Sequence, residues 1–436
     1  MSKKGWKPRA ISGFPEWLPE ERAVELRWFD TLRGIFESHG FANIETPSVE
    51  ELDALLAKGE TDKEIYVIER LQSEEGDDKS SRLGLHYDVT VPFARYAAQH
   101  FNALDFPFKR YQMQRVWRGE RPQEGRYREF YQCDLDVINV DHLPLSFDAD
   151  LAEVVLECLE ALQVGPVRLH IANRKLLEGY LTGLRVEDYV AATRILDKLD
   201  KIGADGVVEQ LQSIGLDQQT AERCLALSEI REEGTGFADR VRALGVENEL
   251  LDQGIEELLF VMQHLGGHDS VIADLSIARG FDYYTGTVYE GKLLEYPDYG
   301  SICSGGRYED LAGSFIKRKL PGVGLSIGLT RLFAKMRAEG KIEAGRKCPT
   351  DVLIVLPKED HRPDLLQLAR DMRSRGLNVE LYHAPQKPKK QIAYAVKKGI
   401  PHVWFPPFGE GKPHEVKNME TGEQVVADPA NWVPET

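Results

Sequence analysis

The most informative segment of this chain reads Arg115-Val-Trp-Arg118-Gly-Glu-Arg-Pro-Gln-Glu-Gly-Arg126-Tyr-Arg128-Glu-Phe130-Tyr-Gln132-Cys-Asp134-Leu-Asp136. Its first half holds five arginines in fourteen residues, and its second half alternates polar and apolar residues. Guanidinium groups match phosphate oxygens in pairs, so the first half indicates a site for a phosphorylated ligand. The two halves, joined by a glycine-containing turn, predict a hairpin that holds this ligand beside a second, uncharged or zwitterionic one.

The alternating half predicts a strand with two different faces, because residues two apart share a face. The polar face carries, in order, Phe130, Gln132, Asp134 and Asp136. The face expected in the core carries Tyr131, Cys133, Leu135 and Val137. A carboxylate beside an amide suits a ligand that offers N–H groups. Taken alone, a half-solvated strand of an antiparallel sheet explains this feature equally well.

The arginine-rich half also has a second explanation. Arg118, Arg126 and Arg128 would clamp a phosphate. On an ordinary surface loop they would instead pair with the glutamates of the same segment, which are Glu120, Glu124 and Glu129. The charge pattern by itself leaves both explanations open.

Length and composition indicate a soluble protein of two or three domains, since 436 residues exceed one ordinary core. No run approaches the roughly 20 apolar residues that span a bilayer, so no membrane partner is expected. The basic N-terminus is followed by no apolar stretch, so we expect no secretory signal. Five scattered cysteines without a Cys-x-x-Cys pair predict reduced thiols in a cytoplasmic protein, with no disulfide framework and no structural zinc.

The net charge of −16 is unevenly distributed. From Asp351 to the end there are twelve Lys/Arg and twelve Asp/Glu, so the whole acidic excess lies in the first 350 residues. The neutral C-terminal part contains a basic cluster, formed by Lys387, Lys389, Lys390, Lys397 and Lys398. This distribution allows nucleic-acid binding there without demonstrating it.

Helical and extended patterns alternate in the first part of the chain. Apolar spacing predicts an amphipathic helix over Glu20–His39, ended by a glycine, and then an extended segment over Phe41–Pro47. Thr90 is expected to cap a helix that starts at the next residue. A further amphipathic helix is expected over Asp148–Leu162.

The middle of the chain changes texture. Strand-like alternation disappears between Leu181 and Leu265, which predicts a helical insertion. Strand signals return over Ser276–Leu294, and turns are expected at Thr285–Gly286 and at Gly305–Gly306.

A nearly bare strand is expected over Val323–Gly328, because glycine or serine occupies every second position from Gly322 onward. Such a surface accommodates a flat base or sugar, and the alternative is tight packing within the protein. Arg331 follows early in a helix expected over Leu329–Ala338, whose N-terminus favours anions.

Beyond a polar linker, the C-terminal part alternates strands with helices, which is typical of a small α/β domain. The expected elements are, in order, strand Val352–Leu356, helix Pro363–Arg375, strand Val379–Tyr382, helix Lys389–Lys398 and strand His402–Phe405.

Five segments together resemble the histidyl-tRNA synthetase family of class II synthetases. Residues 118–132 resemble motif 2, residues 322–331 resemble motif 3, and Phe41–Pro47 fits motif 1. The segment Ala-Arg-Gly-Phe-Asp-Tyr-Tyr-Thr-Gly-Thr-Val-Tyr-Glu at 278–290 and Ser-Gly-Gly-Arg-Tyr at 304–308 resemble the two histidine signatures of that family. The motifs stand in the family's order, from about Gly13 to the C-terminus.

The resemblance implies an α+β catalytic domain, with an antiparallel sheet flanked by helices, that is interrupted by a helical insertion and followed by an α/β anticodon-binding domain. The implied boundaries are 1–175 and 269–338 for the catalytic domain, 176–268 for the insertion, 339–350 for a linker and 351–436 for the anticodon-binding domain. The implied function is a histidine–tRNA ligase that forms histidyl-adenylate from histidine and ATP and then charges tRNA(His). A homodimer is implied, and Mg²⁺ would arrive with ATP, with no resident metal.

The resemblance also implies site residues. Arg118 and Arg279 would be catalytic. ATP would be bound by Arg118, Glu120, Arg126, Phe130 and Arg331. Histidine would be bound by Asp88, Thr90, Gln132, Asp136, Arg279, Tyr283 and Tyr284. Asp134 shares the polar face but receives no role, and the proline-rich stretch Trp404–Pro413 leaves the anticodon contacts unassigned.

Two other functions are considered. A regulatory paralogue that binds histidine and partners a phosphoribosyltransferase usually lacks the anticodon domain and the catalytic arginines, and this chain keeps both. A kinase regulator that senses uncharged tRNA is disfavoured because the chain has no kinase domain.

Overall fold

The computed structural model describes residues 7–56, 64–69, 82–266, 268–277, 284–310, 312–409 and 411–434. The chain divides into two compact units. The first comprises Met1–Glu16 with Trp28–Lys341, and the second comprises Trp17–Arg27 with Ile342–Thr436.

Within the described residues there are thirteen α-helices and seventeen strands. The helices are α1 Pro19–Ser38, α2 Leu52–Leu56, α3 Thr90–Gln99, α4 Ser146–Ala161, α5 Arg174–Gly183, α6 Tyr189–Leu196, α7 Leu199–Ser213, α8 Gln218–Ser228, α9 Phe237–Ala243, α10 Glu249–His264, α11 Leu329–Ala338, α12 Arg362–Arg373 and α13 Pro388–Lys398. The strands are β1 Ala42–Asn43, β2 Val49–Glu51, β3 Val67–Ile68, β4 Leu83–Leu85, β5 Phe108–Trp117, β6 Glu129–Ile138, β7 Val167–Asn173, β8 Arg231–Glu232, β9 Val271–Asp274, β10 Tyr284–Leu293, β11 Ser301–Tyr308, β12 Gly322–Ile327, β13 Val352–Ile354, β14 Val379–Leu381, β15 His402–Phe405, β16 Glu415–Asn418 and β17 Gln424–Val426.

The first unit is built on a nine-stranded sheet in the order β1-β5-β6-β12-β11-β10-β7-β9-β8. From β5 to β7 in this order, neighbouring strands are antiparallel throughout. Within this sheet, as far as the structure describes it, parallel pairing occurs only at β1/β5 and β7/β9. A small sheet β2-β4-β3 lies in the same unit. The expected antiparallel-rich α+β domain is confirmed.

The arginine-rich segment 115–136 forms the expected hairpin, in which β5 and β6 pair from Phe108↔Ile138 to Trp117↔Glu129. The predicted core face of β6 is confirmed at Cys133, Leu135 and Val137, which are completely buried. Tyr131, the fourth member, is half-buried and packs edge-on against Phe29 of α1, with the ring centroids 4.8 Å apart. Packing therefore covers one face of β6 and leaves the other for a site.

A buried ion pair fastens the sheet to α4, the helix that was expected over Asp148–Leu162. Arg307 of β11 donates to both carboxylate oxygens of Asp148, from Nε at 3.1 and 3.0 Å and from Nη2 at 2.5 Å. The same guanidinium donates to the carbonyl oxygens of Leu143 and Pro144. Since Asp148 is fully buried, Arg307 supplies the charge that makes its burial tolerable.

Two expected turns are wrong. Thr285–Gly286 lies inside β10 and Gly305–Gly306 lies inside β11, and the two strands are joined instead by residues 294–300. The glycines serve close packing and not turn geometry. A Cβ on Gly286 would lie 2.8 Å from Cδ of Arg307, and one on Gly305 would lie 2.1 Å from the carbonyl oxygen of Gly324.

The expected cap at Thr90 is also wrong. Thr90 is the first residue of α3, and the cap residue Val89 makes no side-chain hydrogen bond. The backbone N–H of Val91 donates to Oδ1 of Asp88 at 3.1 Å. A carboxylate two residues earlier therefore does what the hydroxyl was expected to do, because a helix N-terminus favours negative charge.

The region expected to be helical, from Leu181 to Leu265, contains the end of α5 and all of α6 to α10, with one exception. Strand β8 pairs with β9 and forms the end of the nine-stranded sheet. Strand signals also return earlier than expected, since β9 begins at Val271. Short strands of this kind carry too few residues for an alternation to be visible in the sequence.

In the second unit the expected alternation of strands and helices is confirmed, with bounds shifted by at most two residues. Strands β13, β14 and β15 are parallel, and the sequence did not predict β16 and β17, which extend the sheet by antiparallel pairing. Trp404 is fully buried in the core of this unit, and its Nε1 donates to Nδ1 of His414 at 3.0 Å.

The structure also describes the cysteines and the apolar character of the helices. All five cysteines lie among the described residues and are free thiols, and four of them are buried. Among the helices described above, none combines the length and the apolar character that crossing a membrane requires.

Candidate active site

A cavity of ≈ 290 Å³ lies over the polar face of β6 and the neighbouring strands β11 and β12. Ten predicted site residues line it, namely Asp88, Thr90, Arg118, Glu120, Arg126, Phe130, Gln132, Asp136, Tyr284 and Arg331. The other two, Arg279 and Tyr283, lie outside the described residues.

We distinguish two ends of this cavity. The sheet end consists of Asp88, Thr90, Gln132, Asp134, Asp136 and Tyr284. The loop end consists of Arg118, Glu120, Arg126, Phe130 and Arg331, of which the first three belong to the connection between β5 and β6.

At the sheet end, Asp136 is held from two sides. Its Oδ2 forms an ion pair with Nη2 of Arg110 at 2.5 Å, and its Oδ1 accepts from the hydroxyl of Tyr308 at 3.0 Å. Arg110 is completely buried and lies over the ring of Phe93, 4.2 Å from its centroid. Burial raises the pKa of Asp136, and Arg110 and the Tyr308 hydroxyl oppose that rise.

Gln132 is fixed by one of its two polar atoms. Its Nε2 donates to Oγ of Ser326 on β12 at 2.9 Å. Its Oε1 is buried and has no hydrogen-bond partner within the described part of the chain. The amide therefore presents an acceptor to whatever occupies the cavity.

The bare side of β12 is confirmed, since Val323, Leu325 and Ile327 are buried on its other face. At two positions the space above the glycine is filled by a side chain of the protein itself and not left for a flat ligand. A Cβ on Gly324 would lie 2.0 Å from Oδ1 of Asp136, and one on Gly322 would lie 2.4 Å from the ring of Tyr308. Here tight packing is the better of the two explanations.

Asp134 is buried, lines the cavity, and lies opposite Gln112 of β5 and Ser326 of β12. Burial raises its pKa to about 7, against the lowering effect of Arg110, and Asp136 raises it further. Its Oδ1 has no hydrogen-bond partner among the described residues.

At the loop end, Arg118 is positioned by the backbone. Its Nε donates to the carbonyl oxygen of Tyr87 at 3.0 Å, and its guanidinium carbon lies 5.2 Å from the centroid of the Phe130 ring. Both side chains are half-buried. A cation therefore lies over an aromatic face at the edge of the cavity.

The other cavity-lining arginine of the connection between β5 and β6, Arg126, makes a weaker contact with the protein. Nη1 of Arg126 lies 3.3 Å from a carboxylate oxygen of Glu120, and the Arg126 side chain is 49% exposed. This contact is the glutamate pairing that a surface loop would show. It leaves the guanidinium within reach of a ligand, because an exposed pair of this kind contributes at most about 1 kcal/mol.

Arg331 of α11 lies over the ring of Tyr299, 5.0 Å from its centroid, and its Nη2 donates to the carbonyl oxygen of the same residue. The tyrosine hydroxyl donates back to the carbonyl oxygen of Arg331 at 2.8 Å. Burial lowers the pKa of Arg331, although the guanidinium remains charged.

Sequence reasoning missed Arg110, Ser326 and Tyr299, which position the predicted residues. One signal for Arg110 was present, because the polar Arg110, Gln112 and Gln114 alternate with Tyr111 and Met113 along β5. No metal cluster is found within the described residues, where no group of three or more His, Cys, Asp or Glu is placed to hold an ion.

The family models described as histidyl-tRNA synthetase and as anticodon binding domain match residues 13–332 and 351–433, respectively. The chain belongs to the histidyl-tRNA synthetase family. It is similar to proteins named histidine–tRNA ligase from Thermobifida fusca, at 59% identity over 98% of both chains, and from Micrococcus luteus, at 47% identity over 100% of this chain and 97% of the relative.

Solved structures agree with this membership. A histidyl-tRNA synthetase from Nostoc sp. PCC 7120 superposes with a TM-score of 0.86 at 36% identity, covering 97% of each chain. A Bacillus halodurans protein described as an ATP phosphoribosyltransferase regulatory subunit/histidyl-tRNA synthetase reaches a TM-score of 0.75 at 22% identity, covering 92% of this chain and 99% of its own. The second likeness supports the fold alone.

Proposed function

We propose that the loop end of the cavity binds ATP and that the sheet end binds histidine. The enzyme is an aminoacyl-tRNA ligase, and the family's reaction is the activation of histidine with ATP followed by its transfer to tRNA(His). The observation that carries the assignment of the two ends is the arrangement of charge: arginines line the loop end, whereas carboxylates and an amide line the sheet end.

In the first step the histidine carboxylate attacks the α-phosphorus of ATP and pyrophosphate leaves. Negative charge accumulates there, and a fixed cation stabilises it without reorganisation. Arg118, held by the Tyr87 carbonyl, is that cation, and by family resemblance Arg279 is its partner. Phe130 stacks on adenine, Glu120 meets its amino edge, and Arg126 and Arg331 neutralise the outer phosphates.

At the sheet end, Asp88 and Thr90 hold the α-amino group. Gln132 and Asp136 meet histidine N–H and ammonium groups, and Tyr283 and Tyr284 line the imidazole pocket. Histidine places its carboxylate toward the loop end, where the arginines lie. Mg²⁺ enters as part of the nucleotide substrate, because its preferred ligands are phosphate oxygens and water.

The wider assignments rest on the resemblance. The catalytic domain comprises residues 1–175 and 269–338, the insertion 176–268 clamps the acceptor stem, and residues 351–436 bind the anticodon. The enzyme acts as a cytoplasmic homodimer. The anticodon-domain match makes tRNA its macromolecular substrate.

The test is histidine-dependent exchange of pyrophosphate into ATP by the purified full-length protein. Exchange with histidine and none with the other amino acids supports the proposal. Well-folded protein without exchange would instead support the regulatory function. In the Arg279→Ala variant we expect adenylation to be abolished while histidine binding is largely kept, and full activity would refute the role given to Arg279.

A further inference from the structure

Asp134 is a buried carboxyl that the proposed function does not use. It occupies the position between Gln132 and Asp136 on the cavity face of β6 and is 3% exposed. The cross-strand residues on either side of it, Gln112 and Ser326, are neutral. One of its oxygens, Oδ1, has no hydrogen-bond partner among the described residues, so it is available to a ligand in the cavity.

The described charges around Asp134 are unbalanced. Arg110 faces it from β5, Asp136 from β6 and Asp88 from the segment before α3. The guanidinium of Arg110 is already engaged with Asp136 at 2.5 Å. Asp134 thus has one cation and two other carboxyls among the charged groups that act on it. The Ser326 hydroxyl donates a hydrogen bond to Asp134, but a neutral hydroxyl does not balance a buried negative charge. Asp134 therefore either carries a proton or meets a positive group of the ligand.

Histidine can supply two positive groups. Its α-ammonium is positive at neutral pH, and its imidazole ring becomes positive near pH 6.5. Asp88 and Thr90 are already proposed to receive the α-ammonium, which leaves the ring for Asp134.

We propose that Asp134 is a specificity-determining residue that accepts a hydrogen bond from the imidazole ring of histidine and favours the protonated ring. This inference rests on the proposed histidine site at the sheet end. An amino acid with an uncharged ring or amide of similar size lacks the second positive charge and is disfavoured.

Proton linkage makes the inference measurable. Because burial raises the pKa of Asp134 to about 7, the free carboxyl and the free ring have similar proton affinity. At pH 8 both are mostly deprotonated before binding. Forming the imidazolium–carboxylate pair then takes one proton from solvent, and affinity falls as pH rises further.

The experiment is titration calorimetry of the full-length protein with histidine at pH 8, in buffers of different ionisation enthalpy. We expect uptake approaching one proton by the native protein and close to none by Asp134→Asn, which keeps the shape of the side chain. Asp150→Asn, an exposed change on α4, is the matched control and takes up as much as the native protein. Binding without proton uptake in the native protein, or equal uptake in Asp134→Asn, overturns the inference.

A histidine analogue separates the ring from the α-ammonium. 1,2,4-Triazolylalanine keeps the ammonium, but its ring is too weakly basic to be protonated. We expect the native protein to bind it at least about tenfold more weakly than histidine, and Asp134→Asn to reduce this preference. Equal binding of both compounds by the native protein contradicts a contact with the ring. Failure of the native protein to bind histidine at all would refute the proposed function instead.

Discussion

The arginines of this enzyme fall into two sets that differ in surroundings. Arg110 and Arg307 lie within the sheet, are almost fully buried, and are each paired at 2.5 Å with a buried aspartate. Arg118 and Arg126 lie at the loop end and are partly exposed. Arg118 is held by a carbonyl oxygen and Arg126 by a half-buried glutamate.

This difference separates stability from catalysis. A buried guanidinium compensates a buried carboxylate, so its loss leaves an uncompensated charge in the interior. A loop guanidinium does not compensate a buried carboxylate and is available to a phosphate ligand. We therefore expect changes in the first set to unfold the protein and changes in the second to reduce activity.

The largest expected effect is on stability. Arg307→Leu leaves the fully buried Asp148 without its cation and removes the hydrogen bonds to two backbone carbonyls, so the free energy of unfolding should fall by about 3–5 kcal/mol. Urea unfolding followed by circular dichroism measures this. Arg318→Leu removes an exposed pair with Asp141 at 4.0 Å and should cost less than about 1 kcal/mol. Similar losses in both variants would contradict a structural role for the buried pair.

The opposite outcome is expected at the loop end. Arg118→Ala removes a cation from the reacting phosphate and should lower kcat of pyrophosphate exchange by about 10²–10³, with stability changed by less than about 1 kcal/mol. Arg115→Ala is the matched control, because Arg115 lies on β5 only three residues earlier, is 48% exposed and does not line the cavity. A comparable loss of exchange in both variants would mean that general charge, and not position, explains the effect.

A third prediction concerns a carboxyl of the sheet end. The pKa of Asp134 is raised to about 7 in the folded protein and is about 3.9 in an unfolded chain. Between these values the folded state holds the proton and the unfolded state does not, so stability falls as pH rises and levels off above about 7. Asp134→Asn does not titrate. The free energy of unfolding of this variant, relative to that of the native protein, should therefore rise by on the order of 2 kcal/mol between pH 5 and pH 8.

Urea unfolding at both pH values measures this gain, and Asp150→Asn provides the baseline for loss of an exposed carboxyl. If the two variants respond alike to pH, Asp134 is not the group that titrates.

The sequence predicted the two sets unequally, for physical reasons. Arg118 belongs to a contiguous motif, so the residues around it could be predicted from the sequence. Arg110 acts on Asp136 across a strand pair, and Arg307 acts on Asp148, which is 159 positions away in the chain. Such pairings depend on strand order and register, which no local pattern specifies. The turns expected at Gly286 and Gly305 were wrong for the same reason, because these glycines make room for a side chain and for the backbone of neighbouring strands, respectively.

The smallest expected effect tests whether the exposed pair of the loop end belongs to the ligand or to the loop. Arg126 and Glu120 lie 3.3 Å apart, and Arg126 is half exposed, so Arg126→Ala should leave the free energy of unfolding within about 1 kcal/mol of the native value. If the guanidinium leaves Glu120 for the ATP phosphates, the KM for ATP should rise by about tenfold at low salt. The difference should shrink at high salt, since the Debye length falls from about 10 Å at 0.1 M to about 3 Å at 1 M.

Arg121→Ala distinguishes these two possibilities. Arg121 belongs to the same connection and is exposed, but it does not line the cavity. A field effect of the whole loop would raise the KM for ATP equally in both variants and would be screened equally. A direct contact raises it only in Arg126→Ala, and part of the difference persists at high salt because a hydrogen-bonded pair is screened less than distant charges. Equal KM values for ATP in the two variants would mean that Arg126 pairs with Glu120 as part of an ordinary surface loop and does not contact ATP.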